Sequence, residues 1–540
     1  MRRVAFLALL ALFAGVSLRA AASDLADAAM KRDSQAVNSL LRQKANVNAP
    51  QVDGTTALHW SARWNDAEMA AALVRAGANA KAANRYGVTP IYLASVNGSA
   101  AMIELLVKAG ADANTSQGEG ETVLMTAANT GSVDAVKVLL KYGAAVNAKE
   151  RVNGQTALMW AAVENHVEVV RLLIANGADI RACTNIDLVN STRGFIITNK
   201  GVPTLPCTKG GRQGAVPSLP DSQAAQAGLN DDPFQTSPPA GGGRGARGPA
   251  SPLGGSGGGA MTPFLFAVRQ GHVESVQALL AAGSDVNQTM ADGTSPLVVA
   301  IINGHYGLAK SLLEKGADPN IVDARGRNAL FAAVDMRNYR WSELPKPDGG
   351  GVDPLDLVKI LLARGANPNA RLVANIPYRG PSNFSNVFET MVGATAFLRA
   401  AESGDVTVMR LLLEHRADPK IKTVDNKTAL MLASGVGYSD GSTFEWSENN
   451  TIEAVRLCLE LGVDVNAASD KGLTAIHGAA HRGSNPILKL LAEKGARLDT
   501  KDKQGRTPLA WAEGVVVIDQ RPARPQPQTI TLIQQLMQGL

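Results

Sequence analysis

Aromatic residues, cysteines and long apolar runs are all scarce in this chain of 540 residues. Aromatics make up only 4% of the residues and there are 3 cysteines, so neither large rings nor a disulfide framework holds the chain together. After residue 22, no apolar stretch approaches the roughly 20 residues that a membrane-spanning helix needs. Apolar residues nevertheless reach 45%, with 53 glycines, which predicts an interior packed with small side chains.

Sequence patterns for catalysis and metal binding are missing as well. There is no His-Glu-x-x-His, no cysteine pair at zinc-ligand spacing and no phosphate loop ending in Gly-Lys-Ser or Gly-Lys-Thr. Residues 243–248 match the dinucleotide fingerprint and residues 254–258 match the nucleophile elbow, but neither lies between a strand and a helix. We interpret both as chance matches in a Gly-rich segment and expect no cofactor and no metal.

The first 22 residues have the three parts of a secretory signal. Arg2 and Arg3 precede an apolar run over residues 4–16, and small residues follow at 20–22. Cleavage after this segment removes three arginines and leaves 50 basic against 48 acidic residues, so the net charge falls from +5 to +2. We therefore expect an exported protein, periplasmic or extracellular, that binds neither nucleic acid nor membrane once the signal is cleaved.

Similar short segments recur through the chain, in most places at an interval of 33 or 34 residues. Each opens on Thr, Ser or Asn, which are good helix N-caps, and several continue with a proline such as Pro90, where a missing N–H costs nothing. A second apolar pattern of helical spacing follows, as in residues 166–173, and ends before a glycine such as Gly177. The opening residues are Thr56, Thr89, Thr122, Thr156, Thr262, Ser295, Asn328, Thr395, Thr428, Thr474 and Thr507.

This pattern resembles the ankyrin repeat family, whose motif contains Thr-Pro-Leu-His, Gly-His, Leu-Leu and Gly-Ala-Asp. The resemblance implies an all-α solenoid of about 12 helix-turn-helix units with short β-turn-like connecting loops. Repeats 1–5 then occupy residues 23–182 and repeats 6–12 occupy residues 261–540. Helices of about ten residues are marginal alone, so each unit must bury its apolar face on its neighbours.

The end of the chain, residues 529–540, is predicted to form a capping helix, because an exposed end of a stack needs covering. Membrane binding by this helix is the alternative, although its polar residues are Gln and Thr rather than Lys or Arg. The helix is predicted to bury Ile530, Ile533, Leu536 and Met537.

Four insertions interrupt the repeats. The longest, residues 183–260, is rich in Gly, Pro and Ser and is expected to be flexible. Cys183 and Cys207 flank one loop of this insertion and are candidates for a disulfide, whereas Cys458 stands where other repeats have leucine and is predicted to be buried. The other insertions lie near residues 339–353, 371–392 and 438–450.

Two of these insertions share the sequence Trp-Ser-Glu, which begins at Trp341 and at Trp446. Either each Trp pins its loop onto the repeats, or the two together form a recognition surface. Glu343 and Glu448 leave a further interpretation open, a hydrolase-like enzyme whose two carboxylates carry acid–base chemistry. Because carboxylates in loops are ordinarily solvated, binding is the better-supported prediction.

The resemblance also implies where a partner binds, because ankyrin partners commonly contact loop tips and the ends of first helices along the concave face. Trp64 is the strongest candidate, since an exposed Trp is a common interface anchor, and its replacement by Ala is expected to leave the melting temperature unchanged. The alternative is that Trp64 packs against a neighbouring first helix. The candidate residues are Arg63, Trp64, Tyr86, Val96, Asn97, Asn129, Thr130, Val163, Glu164, Arg269, Gln270, Ile302, Asn303, Asp335, Met336, Trp341, Glu402, Ser403, Trp446, His481 and Arg482.

These observations together predict a monomeric, non-catalytic scaffold that binds another protein in an exported compartment. His59 and His477 occupy the histidine position of the repeat motif. The family uses this imidazole for local hydrogen bonds, so the resemblance implies a structural role for both residues.

Overall fold

The computed structural model describes residues 24–185, 260–338, 351–376, 391–437, 446–515, 517–518, 521–522 and 524–539. These residues form 24 helices and four strands of two residues each. First and second helices of a repeat alternate along the chain, which makes twelve pairs and confirms the predicted helix-turn-helix solenoid. Internal contacts divide the chain into two units, whose described parts are residues 24–185 with 260–285 (unit 1) and residues 286–539 (unit 2).

Six helix pairs make up unit 1, and within it each first helix packs on the next first helix and each second helix on the next second helix. The first helices are α1 (Asp24–Met30), α3 (Ala57–Arg63), α5 (Pro90–Val96), α7 (Val123–Thr130), α9 (Ala157–Val163) and α11 (Pro263–Gln270). The second helices are α2 (Ser34–Arg42), α4 (Ala67–Arg75), α6 (Ala100–Lys108), α8 (Val133–Lys141), α10 (Val167–Ala175) and α12 (Val273–Ala281).

Unit 2 repeats this arrangement with six further pairs. Its first helices are α13 (Pro296–Ile302), α15 (Ala329–Arg337), α17 (Ala396–Glu402), α19 (Ala429–Ser434), α21 (Ala475–Arg482) and α23 (Pro508–Ala512). Its second helices are α14 (Tyr306–Glu314), α16 (Pro354–Ala363), α18 (Val406–Glu414), α20 (Glu448–Glu460), α22 (Asn485–Glu493) and α24 (Pro527–Gln538). Helix α20 begins inside the range 438–450 that the sequence assigns to an insertion.

Most first helices begin at the predicted Thr, Ser or Asn, whose side chain accepts a backbone N–H of the first turn. Thr89 Oγ1 accepts the N–H of Tyr92 at 3.3 Å, and Asn328 Oδ1 accepts that of Phe331 at 2.8 Å. Proline occupies the first position of α5, α11, α13 and α23. Loss of one such cap costs about 1 kcal/mol, so the recurring Thr fixes the start of each repeat.

Asparagine side chains join successive repeats in both units, at the turn after the second helix. Asn114 Nδ2 donates to the carbonyl of Gly143 at 3.1 Å, and its Oδ1 accepts the N–H of Ala145 at 2.8 Å. Both backbone groups belong to the next repeat, so each Asn satisfies one donor and one acceptor that the helix ends leave open. The same two bonds are made by Asn48, Asn147, Asn287, Asn320, Asn369 and Asn466.

Backbone hydrogen bonds also connect the loop tips that precede the first helices. The N–H of Arg85, for example, donates to the carbonyl of Asp53 in the preceding tip at 2.9 Å. One tip forms the antiparallel strands β1 (Ser116–Gln117) and β2 (Glu121–Thr122). A second antiparallel pair, β3 (Val517–Ile518) and β4 (Arg521–Pro522), lies between α23 and α24.

Alanine and aliphatic side chains fill the interior, as the shortage of aromatics predicts. Ala62, Ala70 and Leu73 are fully buried, which shows how closely the helices of one repeat approach each other. Cys458 is buried in α20 as expected, and its burial raises the pKa of the thiol to about 12. This residue is therefore a packing residue rather than a reactive thiol.

The final helix, α24, packs on α22 and α23 as a second helix; it buries Ile533 as predicted and half-buries Ile530 and Leu536, but it leaves Met537 exposed. Its buried residues are Thr529, Leu532 and Ile533, whereas Met537 is 54% exposed. The prediction that Met537 is buried is wrong, because the contact face follows positions 529, 532 and 533 around the helix. Among the described residues, every helix is too short or too polar to cross a membrane.

Candidate partner-binding surface

Ten of the predicted residues lie at the carboxyl ends of the first helices α3, α5, α7, α9 and α11. We call them the unit 1 row: Arg63, Trp64, Val96, Asn97, Asn129, Thr130, Val163, Glu164, Arg269 and Gln270. Six are exposed, and Val96 exposes 47% of its surface although it is apolar. The other four, which are Trp64, Val163, Arg269 and Gln270, are half-buried.

Trp64 is held between neighbouring side chains and is less exposed than predicted. Its ring stacks on that of Trp60, with centroids 5.9 Å apart and planes inclined by 22°. Trp60 is fixed in turn, because its indole N–H donates to Gln51 Oε1 at 2.9 Å. The indole Nε1 of Trp64 is buried and has no hydrogen-bond partner among the residues that the structure describes. Trp64 is therefore partly a packing residue, through its stack on Trp60, and partly a surface residue, since its side chain is half-buried.

Two arginines lie near the Trp64 ring. The guanidinium carbon of Arg32 is 4.2 Å from the ring centroid and that of Arg63 is 5.7 Å from it, both within the range of cation–π attraction. Sequence analysis missed Arg32, which lies in the turn between α1 and α2. The signal was present, because the equivalent positions in the next repeats are Asn65, Gly98 and Gly131.

Arg32 has a φ of 59°, and φ is also positive at Asn65 and at the glycines in the equivalent positions. The left-handed conformation costs an ordinary L-residue roughly 1–2 kcal/mol, whereas Gly and Asn adopt it readily. An arginine at this position is therefore unfavourable for the backbone, and its side chain lies over Trp64.

Backbone groups of the unit 1 row are already used to join the repeats. Asn97 Nδ2 donates to the carbonyl of Arg63 at 3.0 Å, and His166 Nε2 donates to the carbonyl of Asn129 at 2.9 Å. His272 Nε2 makes the equivalent bond to the carbonyl at position 163, at 2.7 Å. These bonds fix the positions of the helix ends, while the side chains of Val96, Asn129 and Thr130 stay exposed.

Loop tips of unit 1 expose further apolar side chains. Tyr86, a predicted residue, is 61% exposed, and its hydroxyl accepts a hydrogen bond from Arg85 Nη2 at 2.8 Å. Val52 and Val152 are also exposed at their tips, and the sequence analysis did not select them. Both valines lie four residues before the N-cap Thr of a first helix, at a position that is also exposed in the two repeats between them, so the repeat pattern does give a signal for them.

In unit 2, the corresponding helix ends are largely covered by the chain's own side chains. The residues Ile302, Asn303, Asp335, Met336 and Glu402 are half-buried. Ser403 is fully buried, with its hydroxyl accepting a bond from Arg399 Nη1 at 2.7 Å, so the prediction that Ser403 contacts a partner is wrong.

A network of charges surrounds the helix ends of repeats 8 and 9, at Asp335, Glu402 and Ser403. Arg337 Nε donates to Asp405 Oδ2 at 2.8 Å, and both side chains are almost completely buried. Arg399 Nε donates to Asp335 Oδ1 at 2.7 Å, and its Nη2 donates to the carbonyl of Asn338 at 2.7 Å. The network joins repeats 8 and 9, and each buried charge has an oppositely charged partner, as burial requires.

Trp446 covers part of this network. Its indole N–H donates to Asn338 Oδ1 at 2.8 Å, and its ring lies 4.2 Å from the guanidinium carbon of Arg337. These contacts match the interpretation in which the Trp pins its segment onto the repeats. Trp446 remains 39% exposed, so part of its ring also contributes to the surface.

Further along unit 2, His481 and Arg482 at the end of α21 are half-buried. The His481 ring meets the Trp511 ring edge-on, with centroids 5.5 Å apart. Arg482 Nη2 donates to Thr451 Oγ1 at 3.3 Å. Both residues therefore contribute to the packing of neighbouring repeats.

Several predicted residues remain untested. Trp341, Glu343 and Cys207 lie outside the described residues, so the disulfide between Cys183 and Cys207 and the pairing of the two carboxylates stay predictions. Glu448 is exposed in the first turn of α20. Within the described residues, no group of three or more His, Cys, Asp or Glu is arranged to hold a metal ion.

The two motif histidines form the local bonds that the resemblance implies. The backbone N–H of Thr56 donates to His59 Nδ1 at 3.2 Å, so His59 Nε2 carries the proton and donates to the carbonyl of Val88 at 2.9 Å. His477 makes the equivalent bonds in unit 2. Burial lowers the pKa of both imidazoles, because it disfavours the charged form. They are framework groups whose neutral form the fold requires.

Comparison with protein-family models gives the same assignment. A model of three ankyrin repeat copies matches residues 25–117, 109–182, 264–371 and 445–514, and a single ankyrin repeat model matches residues 392–424. The matches cover more than half of the chain. The chain belongs to the ankyrin repeat family. Ankyrin repeats are scaffolds for protein–protein interaction, and this general function therefore applies to the chain.

Individual ankyrin relatives match only part of the chain. It is 34% identical over 183 residues to the B-cell lymphoma 3 protein homolog of Mus musculus, which covers 30% of this chain and 38% of that protein. It is 36% identical over 102 residues to the Protein fem-1 homolog A-like of Mus musculus, with 19% of this chain and 14% of that protein covered. The chain thus spans well under half of these relatives.

A solved structure, that of the human ASB11 ankyrin repeat domain, is also similar. The match has 20% identity and a TM-score of 0.37, and it covers 55% of this chain and 99% of that chain. At this level of identity, the similarity concerns the fold alone.

Proposed function

We propose that the chain binds a partner protein in an exported compartment, without catalysing a reaction, through the unit 1 row and the neighbouring loop tips. The observation that carries this proposal is the exposure of Val96, Asn129 and Thr130 beside backbone groups that are already bonded. Rigid helix ends that present free side chains lose little conformational freedom on binding, which favours affinity.

Tyr86, Val52 and Val152 support the same surface. Exposed apolar and aromatic side chains are the usual centres of protein interfaces, and aromatics are rare in this chain. Their positions on loop tips of unit 1 extend the surface beyond the helix ends.

Affinity isolation with Val96→Glu tests the proposed surface. The bait is the chain without residues 1–22, and the source is the exported fraction of cells that produce the protein. A partner captured by the wild-type chain is expected to be captured at least about tenfold less by Val96→Glu, because the variant places a charge in a desolvated contact.

The matched control is Gln277→Glu, which adds the same charge at an exposed position of the second helix α12. This control is expected to capture as much partner as the wild type. Equal capture by Val96→Glu and the wild type would remove the unit 1 row from the proposed function.

The exported location is proposed from the sequence of the first 22 residues and has its own test. Deletion of residues 2–22 is expected to keep the protein inside the producing cell, where external protease cannot reach it. Export of the deleted chain at the wild-type level would contradict the proposed location.

A further inference from the structure

The arginines around Trp64 point to the chemistry of the partner, in an argument that rests on the function proposed above. We infer that Arg32, Arg63 and Trp64 form a subsite for a carboxylate side chain in an acidic peptide segment of the partner protein. An apolar residue of the same segment lies on Val96.

Charge complementarity is the first reason for this inference. The guanidinium carbons of Arg32 and Arg63 both lie within 5.7 Å of one ring centroid, and both side chains are exposed. Within the described residues, neither arginine has a carboxylate partner. Two like charges held near one ring repel each other, and a carboxylate bound between them replaces that repulsion by two attractions.

Other arginines at comparable places in the repeats show the contrast. Arg337 and Arg399, at the first helices of unit 2, each bind a carboxylate of the chain itself at 2.8 and 2.7 Å. The Trp446 ring lies over Arg337, much as the Trp64 ring lies under Arg32. The cluster in unit 2 therefore combines an arginine, an aromatic ring and a bound carboxylate, whereas the cluster around Trp64 combines two arginines and a ring with no carboxylate bound to them among the described residues.

The backbone at Arg32 supplies a second reason. Its positive φ is one that the equivalent positions adopt with Asn or Gly, so the cost of the left-handed backbone offsets the contact of Arg32 with the Trp64 ring. Replacement by Asn keeps this turn, relieves that cost and removes the guanidinium group together with the stem that carries it. The position thus offers a variant that separates binding from stability.

The geometry of neighbouring repeats fixes where the apolar residue lies. Asn97 Nδ2 donates to the carbonyl of Arg63, which places the end of α5 directly beside the end of α3. Packed helices lie about 8–10 Å apart, and an extended peptide advances about 3.3 Å per residue. The apolar side chain on Val96 is therefore expected about three residues from the acidic one.

The test selects peptides from a phage-displayed library of random 12-residue sequences on the chain without residues 1–22. Selected peptides are expected to contain Asp or Glu about three positions from an apolar residue. A synthetic copy of the strongest binder is expected to bind Arg32→Asn and Arg63→Gln about tenfold more weakly than wild type, as the loss of one charged hydrogen bond implies.

Two controls accompany this measurement. Arg42→Gln removes an exposed arginine at the end of α2 and is expected to bind the peptide as the wild type does. Arg32→Asn is expected to melt at the wild-type temperature or above it. If Arg32→Asn lowers both the melting temperature and the affinity for the peptide, Arg32 acts through the fold and the inference is overturned.

The outcomes separate the inference from the proposed function. If the selected peptides bind Val96→Glu more weakly than wild type but bind Arg32→Asn and Arg63→Gln as tightly as wild type, the carboxylate subsite is overturned. The proposed binding surface then still stands. Selected peptides that are insensitive to Val96→Glu would overturn both. If the wild-type chain binds a 12-residue oligothymidylate more tightly than it binds the peptide, and Arg32→Asn loses that binding, the inference is overturned in favour of a nucleic acid.

Discussion

The two units present the ends of their first helices in different ways. In unit 1, Val96, Asn129 and Thr130 are exposed, whereas the predicted residues at the first-helix ends of unit 2 are half-buried or, at Ser403, fully buried. The helices and caps are alike in both units, so the backbone does not cause the difference. Charged side chains of the chain itself, together with Trp446, cover the first-helix ends of repeats 8 and 9 in unit 2, whereas no such network covers Val96, Asn129 and Thr130 among the described residues of unit 1.

Asp66 and Asp405 show the contrast at one equivalent position. Each is the N-cap of a second helix, and each accepts a backbone N–H of the first turn, Asp66 from Met69 and Asp405 from Val408. Only Asp405 also binds a buried arginine, Arg337. The same residue type therefore acts as a cap in unit 1 and as both a cap and a charge partner in unit 2.

Replacement of these two aspartates is expected to give the largest difference between the units. Asp405→Ala leaves the largely buried Arg337 with only the exposed Asp353, 4.0 Å away, as a carboxylate neighbour among the described residues, which costs about 3 kcal/mol, whereas Asp66→Ala loses a cap worth about 1 kcal/mol. Hydrogen exchange of the amides in α18 and α4 measures the free energy of opening of each helix. Equal costs at the two positions would show that the charge network does not stabilise unit 2.

Trp64→Ala is expected to destabilise unit 1 by about 2 kcal/mol, because it removes the stacked ring from Trp60. This corrects the expectation from sequence that the melting temperature stays unchanged. Trp64→Phe keeps a ring and removes an indole N–H that has no acceptor within the described part of the chain, so its stability is expected to stay close to wild type. Thermal unfolding of both variants checks the prediction, and a similar loss in both would contradict it.

Trp446→Ala removes part of the cover from repeats 8 and 9, with a smaller expected cost of about 1–2 kcal/mol, since the ring is partly exposed and its indole N–H donates to Asn338. Faster hydrogen exchange is expected at residues 403–405, near the uncovered network. Capture of the partner is expected to stay at the wild-type level. Reduced capture would show that Trp446 belongs to the binding surface.

The pH dependence is expected to be small and alike in both units. Burial lowers the folded-state pKa of His59 and His477 below the unfolded value near 6.5, so the unfolded chain binds more protons. The stability contributed by the neutral imidazoles is therefore present above this value and is lost as the pH falls below it. Denaturant unfolding of wild type and His59→Gln between pH 7.5 and pH 5 tests this, with a flatter profile expected for the variant.

The sequence predicts the fold through local signals that the structure then satisfies. Thr89 caps its helix because a side-chain oxygen reaches an N–H three residues away, and Cys458 is buried because it stands at a leucine position. Such interactions depend on the repeat alone. They explain why the family, the caps and the motif histidines are predictable from a single chain.

Contacts between distant parts of the chain were not predictable in this way. Trp446 binds Asn338, which is 108 residues away, and Arg32 covers a ring in the following repeat. The repeat motif marks position 32 as unusual but does not show what the Arg32 side chain contacts, because that depends on its rotamer, and the contact of Trp446 depends on an insertion. Ser403 was misplaced for the same reason, since its burial results from Arg399 and from the segment that begins at Trp446.

Capture of the partner by two matched variants tests the difference between the units most directly. Val96→Glu and Asn303→Glu place the same charge at first-helix ends of unit 1 and unit 2. The expected result is a loss of at least about tenfold for Val96→Glu, because a desolvated charge opposes binding, and wild-type capture for Asn303→Glu. Equal losses, or a loss for Asn303→Glu alone, would contradict the account.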